Sequence, residues 1–221
     1  MWGQAGWMSG CGGYVRRVFL LGTEGDQRSC RGRAGMVLFK GDDIFLNTPA
    51  LVDYLQQQLG ASARDMSRFM MGEVIRAVQP NRLKVSKYFV PDAFYIGLYP
   101  PYAGGGGVVY SGLLTKHLHL VSKMVHLYPI DDVYVGMCLL RLNANPSHLP
   151  AFLTFDFPKG KKMEWCTYHK IILVHKRTPD QVVQLWVQLK ERQPLCCNGT
   201  LRDKHSIEIV KPFYSPTGLS M

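Results

Sequence analysis

The stretch between Asp92 and Lys116 carries no charged residue, and it sets the first limit on what this chain can fold into. It is long enough to cross a bilayer. Yet it contains Pro100-Pro101, the run Gly104-Gly105-Gly106-Gly107 and four tyrosines. A helix in lipid must satisfy every backbone polar group internally, and a segment of this composition cannot hold one. It reads instead as a loop followed by a strand in a folded domain. The remaining composition agrees. With 221 residues, 47% of them hydrophobic and 19% charged, the chain is neither disordered, collagen-like nor a coiled coil. A domain of this size buries roughly 70% of its unfolded surface.

Apolar runs alternate with helix signals around that stretch. Residues 15–21 and 36–39 read as buried strands, as do 69–75, 87–90, 108–110 and 171–174. Thr48 caps a helix with Pro49 at its first position and Leu51, Val52, Leu55 and Leu59 on its apolar face. Ser111 opens a second helix along Leu114, Leu118, Val121 and Val125. Asp131-Asp132 starts a third, with Val133, Met137 and Leu140 on one face. Thr178-Pro179-Asp180-Gln181 is a capping box for a fourth, which buries Val182, Leu185, Trp186 and Leu189. The alternation predicts a single α/β domain over residues 1–193. From Pro194 the chain turns polar and Cys-rich, and 194–221 reads as a loose tail.

Four groupings carry potential chemistry. Lys40-Gly41-Asp42-Asp43 ends an apolar strand, where α/β proteins place ligands. Two adjacent carboxylates there fit a divalent metal, Mg²⁺ or Mn²⁺, or an ordinary solvated turn. The glycine run, flanked by Tyr99 and Tyr102, fits either a backbone that approaches a ligand closely, with rings to stack on it, or a flexible hairpin. Asp131 and Asp132 at a helix start offer a general base or a simple N-cap. His175, just past a strand, is a metal ligand or an ordinary histidine.

Charge and cysteines bear on partners and compartment. The formal net charge of +10 fits an anionic partner or plain solubility. The basic residues are scattered and no nucleic-acid recognition motif is present, so nucleic acid is not an expected partner. There is no C-x-x-C pair. An even count of six cysteines and the sequon Asn198-Gly199-Thr200 lean towards an oxidising compartment, against the alternative of six idle thiols. Residues 1–14 lack the basic-then-apolar pattern of a signal peptide, and the chain as written is expected to carry no membrane anchor.

The segments F-K-G-D-D-I-F-L-N at 39–47, K-Y-F-V-P at 87–91, Y-P-P-Y-A-G-G-G-G at 99–107 and Y-P-I-D-D-V-Y-V-G-M-C-L at 128–139 occur in one order. With R-R-V-F-L-L-G at 16–22 and L-V-H-K-R at 173–177, they resemble the β-1,3-glycosyltransferases of glycosyltransferase family 31. The A-G-G-G-G form is more similar to the β-1,3-N-acetylglucosaminyltransferase branch than to the galactosyltransferase relatives. The resemblance implies a GT-A fold, a Rossmann-like domain that binds a nucleotide sugar. It also implies an inverting transfer of GlcNAc from UDP-GlcNAc to the 3-hydroxyl of a terminal galactose. Under it, Asp43 and His175 hold Mn²⁺ (or Mg²⁺) against the UDP diphosphate, with Asp42 beside them. Asp132 is the catalytic base and Asp131 its neighbour. Tyr88 and Gly104, Gly105, Gly106 and Gly107 shape the donor and acceptor pocket. Cys138 and Cys166 form a disulfide, Asn198 is glycosylated, and the setting is the lumenal side of the Golgi membrane, with a signal-anchor upstream. The family carries three aspartates where this chain has Asp42 and Asp43, and a longer connection where this chain has 23–35. The N-terminal half of the fold is accordingly expected to be incomplete. Two alternatives remain beside this reading: an inactive family member that serves as an interaction module, and a UDP-galactose β-1,3-galactosyltransferase.

Overall fold

The computed structural model describes residues 17–21, 36–40, 43–60, 66–157, 165–191 and 201–202. Five strands form the larger sheet: β1 (Arg17–Leu21), β2 (Met36–Lys40), β5 (Tyr102–Ser111), β4 (Met70–Ile75) and β6 (Ser147–His148), in that spatial order. The β1/β2, β2/β5 and β5/β4 pairs are antiparallel, and β4/β6 is parallel. A smaller sheet has the order β3 (Ile44–Leu46), β8 (Leu173–His175), β7 (Phe152–Leu153). Four helices complete the α/β architecture: α1 (Thr48–Gly60), α2 (Gly112–Val121), α3 (Asp131–Arg141) and α4 (Pro179–Glu191).

Alternation along the central strands builds two cores. Met71 and Val109 face α1 and the small sheet, packing with Leu51, Leu55, Phe152, Ile172 and Leu173. Their strand neighbours Met70, Val108 and Tyr110 face the other way, against Leu114 of α2 and Leu139 of α3. Successive strand side chains point to opposite faces, so each residue pair serves both layers. A third cluster joins Phe45, Ile171, Val174 and Leu189, with Phe45 meeting the rings of Tyr168 and Trp186 at 5.7 Å each. Such aromatic pairs add about 0.5–1.5 kcal/mol beyond area burial.

Local signals hold where partners are near in sequence. Ser111 caps α2, its Oγ accepting from the Leu114 N–H at 3.1 Å. The capping box of α4 is reciprocal: Gln181 N–H donates to Thr178 Oγ1 at 3.3 Å, and Thr178 N–H donates to Gln181 Oε1 at 3.0 Å. At α1 the cap is Asn47 rather than Thr48. Its Oδ1 accepts from the Ala50 N–H at 3.3 Å, while its own N–H is tied to the Ile172 carbonyl at 2.8 Å.

Several expectations are corrected. The glycine run is not a loop: Gly104, Gly105, Gly106 and Gly107 lie inside β5. Residues 87–90 form a turn and a single bridge from Phe89 to Asn81 instead of a strand, and Arg82 takes the Val90 carbonyl at 2.6 Å. On α3 the buried face is Val133, Tyr134, Gly136, Cys138 and Leu139, and Leu140 is exposed. The loose tail expected from Pro194 does not extend to Leu201 and Arg202. Leu201 packs on the first core, and the Arg202 N–H donates to the Lys170 carbonyl at 2.7 Å.

Candidate active site

The end of β8 and the residue before β3 meet across the small sheet, where Ile44 pairs with His175. That register brings Asp43 Oδ1 within 2.9 Å of His175 Nε2. The other ring nitrogen, Nδ1, lies 3.0 Å from the Thr154 carbonyl. A carbonyl only accepts, so Nδ1 is the nitrogen that can donate to Thr154, and Nε2 is the nitrogen turned to Asp43. Both side chains are open to a ligand, at 51% exposure for Asp43 and 25% for His175.

Neighbouring backbone holds this pair in place. The Arg177 N–H donates to the Asp43 carbonyl at 2.8 Å. The Arg177 side chain is buried and paired to Asp156 at 2.6 Å. Its Nη1 also donates to the carbonyls of His175 and Lys176, at 3.0 and 2.9 Å. Burial works against the guanidinium charge, but the hydrogen bonds to Asp156 and Tyr168 outweigh it and hold the Arg177 pKa above its ordinary value. Lys176, at φ 62°, adopts the left-handed turn between them.

The glycines of β5 serve this same corner. A Cβ on Gly104 would stand 2.6 Å from Thr154 Cγ2, and one on Gly106 would stand 3.1 Å from Thr154 Cα and 3.4 Å from His175 Cβ. The close backbone approach expected of the run is therefore made to Thr154 and His175. Gly107 pairs with Lys40, which places the exit of β2 beside them. Tyr99 and Tyr102 do not offer free rings. Tyr99 is 6% exposed, with Tyr95, Tyr102 and Tyr128 around it at 5.4, 6.2 and 5.8 Å and a 3.0 Å hydrogen bond from the Tyr128 hydroxyl. Burial raises the Tyr99 pKa.

Asp131 and Asp132 occupy the first turn of α3, with the Asp132 N–H donating to Asp131 Oδ1 at 3.0 Å. The residue at the cap is Ile130, which makes no side-chain cap. One turn on, a Cβ at Gly136 would stand 2.9 Å from Tyr102 Cβ, so α3 is seated on the start of β5. The helix contact at Tyr102 and the histidine contact at Gly106 are about 13 Å apart along the strand, at 3.3 Å per residue. Tyr88 stands exposed in a turn, with Lys87 Nζ 4.8 Å from its ring centre. Asp42 and Asn198 lie outside the described residues.

The expected pairing of Cys138 with Cys166 is not made. Cys166 is disulfide-bonded, whereas Cys138 is a buried thiol. Cys138 packs with Val121 and Tyr134 between α2 and α3. Cys166 lies in the 3-10 helix Trp165–Lys170, beside α4 and the small sheet. The two belong to different layers of the fold.

Sequence reasoning passed over Glu73, in β4 where the pairing with β5 shifts register. Its carboxylate accepts from the Thr154 N–H. Burial pushes its pKa up, offset in part by that hydrogen bond and by Arg202. The signal was present as a lone carboxylate inside the apolar run M-M-G-E-V-I.

Among the described residues, no three His, Cys, Asp or Glu side chains gather round one point, and no helix is long and apolar enough to cross a membrane. The Asp43–His175 pair nevertheless fits a divalent cation. It offers one carboxylate oxygen and one imidazole nitrogen, and the second ring nitrogen is fixed by a backbone carbonyl, as in metal-binding histidines generally.

Comparison with known proteins identifies the family of the chain. Residues 27–150 match the galactosyltransferase family. The chain is 44% identical over 160 residues to mouse N-acetyllactosaminide beta-1,3-N-acetylglucosaminyltransferase 2, covering 72% of this chain and 40% of that protein. It is 37% identical over 166 residues to mouse N-acetyllactosaminide beta-1,3-N-acetylglucosaminyltransferase 4, covering 74% and 46%. To rat UDP-GlcNAc:betaGal beta-1,3-N-acetylglucosaminyltransferase 7 it is 37% identical over 155 residues, covering 67% and 38%. The chain thus spans less than half the length of these relatives. On the match over 27–150, the chain belongs to the galactosyltransferase family.

Proposed function

We propose that this chain carries the donor and acceptor machinery of an inverting β-1,3-N-acetylglucosaminyltransferase with a GT-A fold. It transfers GlcNAc from UDP-GlcNAc to the 3-hydroxyl of a terminal galactose on a glycan. The observation that carries the reading is the 2.9 Å approach of Asp43 Oδ1 to His175 Nε2, in a chain 44% identical to a beta-1,3-N-acetylglucosaminyltransferase.

Asp43 and His175 would hold Mn²⁺ or Mg²⁺, which when bound supplies neutralisation of the charge that builds on the departing diphosphate. Asp132 accepts the proton of the acceptor 3-hydroxyl as that oxygen attacks the anomeric carbon. The bond from that carbon to the UDP oxygen breaks from the opposite face, so the configuration inverts. Asp131, engaged with the Asp132 N–H, keeps the first turn of α3 in shape. Gly104 and Gly106 keep β5 close under His175, and Tyr88 lines the acceptor side. A Golgi-lumenal setting fits the disulfide at Cys166, since such bonds persist in oxidising compartments.

Calorimetric titration with UDP, with and without Mn²⁺, tests the donor site. Turnover of UDP-GlcNAc against UDP-galactose on a galactose-terminated acceptor then tests the reaction. Metal-dependent UDP binding and a preference for UDP-GlcNAc are expected. A folded chain that binds no UDP would reduce the family match to a fold without its chemistry.

A further inference from the structure

We propose that Tyr99 and Tyr128 are positioning residues for Asp132, acting through their paired hydroxyls on the segment that leads into α3. This deepens the reading above and rests on Asp132 as the base. The two hydroxyls lie 3.0 Å apart. Tyr99 is the fixed member of the pair. It is buried, its N–H donates to the Val78 carbonyl at 2.9 Å, and its ring meets those of Tyr95 and Tyr102 at 5.4 and 6.2 Å. Tyr128 is the member it holds, and that ring also meets Phe94 and Tyr95 at 5.6 Å each. Only Pro129 and Ile130 separate Tyr128 from Asp131.

The start of α3 needs an anchor of this kind. The first N–H groups of a helix find no carbonyl within it, and helix ends fray unless something fastens them. At α3 the cap residue is Ile130, which makes no side-chain cap. The fastening comes instead from the short segment 99–102, which holds the turn on both sides. Ahead of the turn, Tyr99 meets Tyr128 through the hydroxyl pair. Behind it, Gly136 is seated so closely that a Cβ there would stand 2.9 Å from Tyr102 Cβ and 3.0 Å from the Pro101 carbonyl oxygen. Asp131 and Asp132 lie between these two anchors. The ring contacts alone would supply the apolar burial, and two phenylalanines would keep it. What the hydroxyls add is a directed bond that fixes the height at which the chain enters the helix.

The test uses the full chain and compares wild type with Tyr99→Phe, Tyr128→Phe and the double variant. Each single substitution strands one hydroxyl and should lower the melting temperature. The double variant strands neither, so most of the melting temperature should return. Positioning predicts that turnover does not return with it. We expect kcat to fall about 10-fold in all three variants, short of the roughly 10²-fold that a misplacement of about 1 Å can cost. UDP–Mn²⁺ affinity, read by calorimetry, should stay at the wild-type value. Hydrogen exchange over residues 128–138 should quicken in all three variants. In the double variant exchange over α4 should match wild type. A double variant with wild-type melting, kcat and exchange overturns the proposal and leaves the pair a structural contact. If a single variant does not fold, the double variant carries the same comparison. If wild type transfers nothing, or Asp132→Asn turns over normally, the reading of the base falls. The exchange comparison then still decides whether the pair fixes the turn that carries Asp132, and unchanged exchange overturns it.

Discussion

His175 Nε2 and Asp43 Oδ1 lie 2.9 Å apart, and that contact joins residues 132 positions apart in the chain. Removing either partner is expected to weaken Mn²⁺-dependent UDP binding by about 100-fold, the upper end of what the loss of a mere outer partner costs. Asp43→Asn and His175→Ala should both show it by calorimetry. Their melting temperatures should stay close to wild type, because Asp43 is half exposed and His175 leaves only a small cavity.

Asp132→Asn should separate chemistry from binding. The substitution removes the base and keeps the side-chain shape, so transfer is expected to fall about 10²–10⁴-fold. UDP binding should be nearly unchanged. Steady-state turnover together with UDP titration checks both halves. Normal turnover in the variant would falsify the assignment of the base.

Gly104→Ala is expected to cost both stability and binding. Its Cβ would stand 2.6 Å from Thr154 Cγ2 and 2.9 Å from Oγ1, so Thr154 or β5 must shift. Overpacking of this kind costs about 1–3 kcal/mol, and in a chain of this size each kcal/mol lowers the melting temperature by about 2–4 °C. Because Thr154 also holds His175, UDP–Mn²⁺ affinity should drop with it. Thermal melts and titration on the same sample read the two effects.

Thr178→Ala tests the capping box of α4 away from the site. Loss of the Thr178 Oγ1 acceptor should cost about 1 kcal/mol. Donor binding should not change, which makes this variant the control for the preceding one.

The partly buried Glu73 gives stability a pH dependence of known sign. Burial raises its pKa above the ordinary 4.5, so the folded state holds this proton more tightly than the unfolded state does. Its contribution is fully present below about 4.5 and is lost as pH rises through the raised value. Glu73→Gln abolishes that term. Relative to wild type, the variant should gain stability as pH climbs from 4.5 towards neutrality, as read by denaturant melts at successive pH values.

Much of the α/β pattern was legible because its causes are local. The Thr178–Gln181 box and the Ser111 cap join groups three residues apart, and the apolar runs at 36–39 and 171–174 announce strands by themselves. The motif residues Asp43, His175, Asp131 and Asp132 were visible for the same reason, as short ordered strings. Asn47 was missed as the cap of α1 because its backbone is held by Ile172, far along the chain. The turn at 87–90 was missed because Arg82 supplies its hydrogen bonds from outside the segment.

By itself, then, the sequence determined the α/β class, the starts of α2 and α4 and the candidate groups that stand in short ordered strings. Each of these follows from neighbours within a few residues. Only the tertiary structure decided what the groups meet. Glycine freedom reads as a loop in one dimension, yet pairing with β2 and β4 made it a strand pressed against Thr154. Cysteine spacing could not show that Cys138 and Cys166 lie in different layers. Glu73 meets Thr154 across 81 residues, a contact paid for by the packing of two sheets rather than by any local preference. The site depends on register between distant strands, and register is set by which faces are buried.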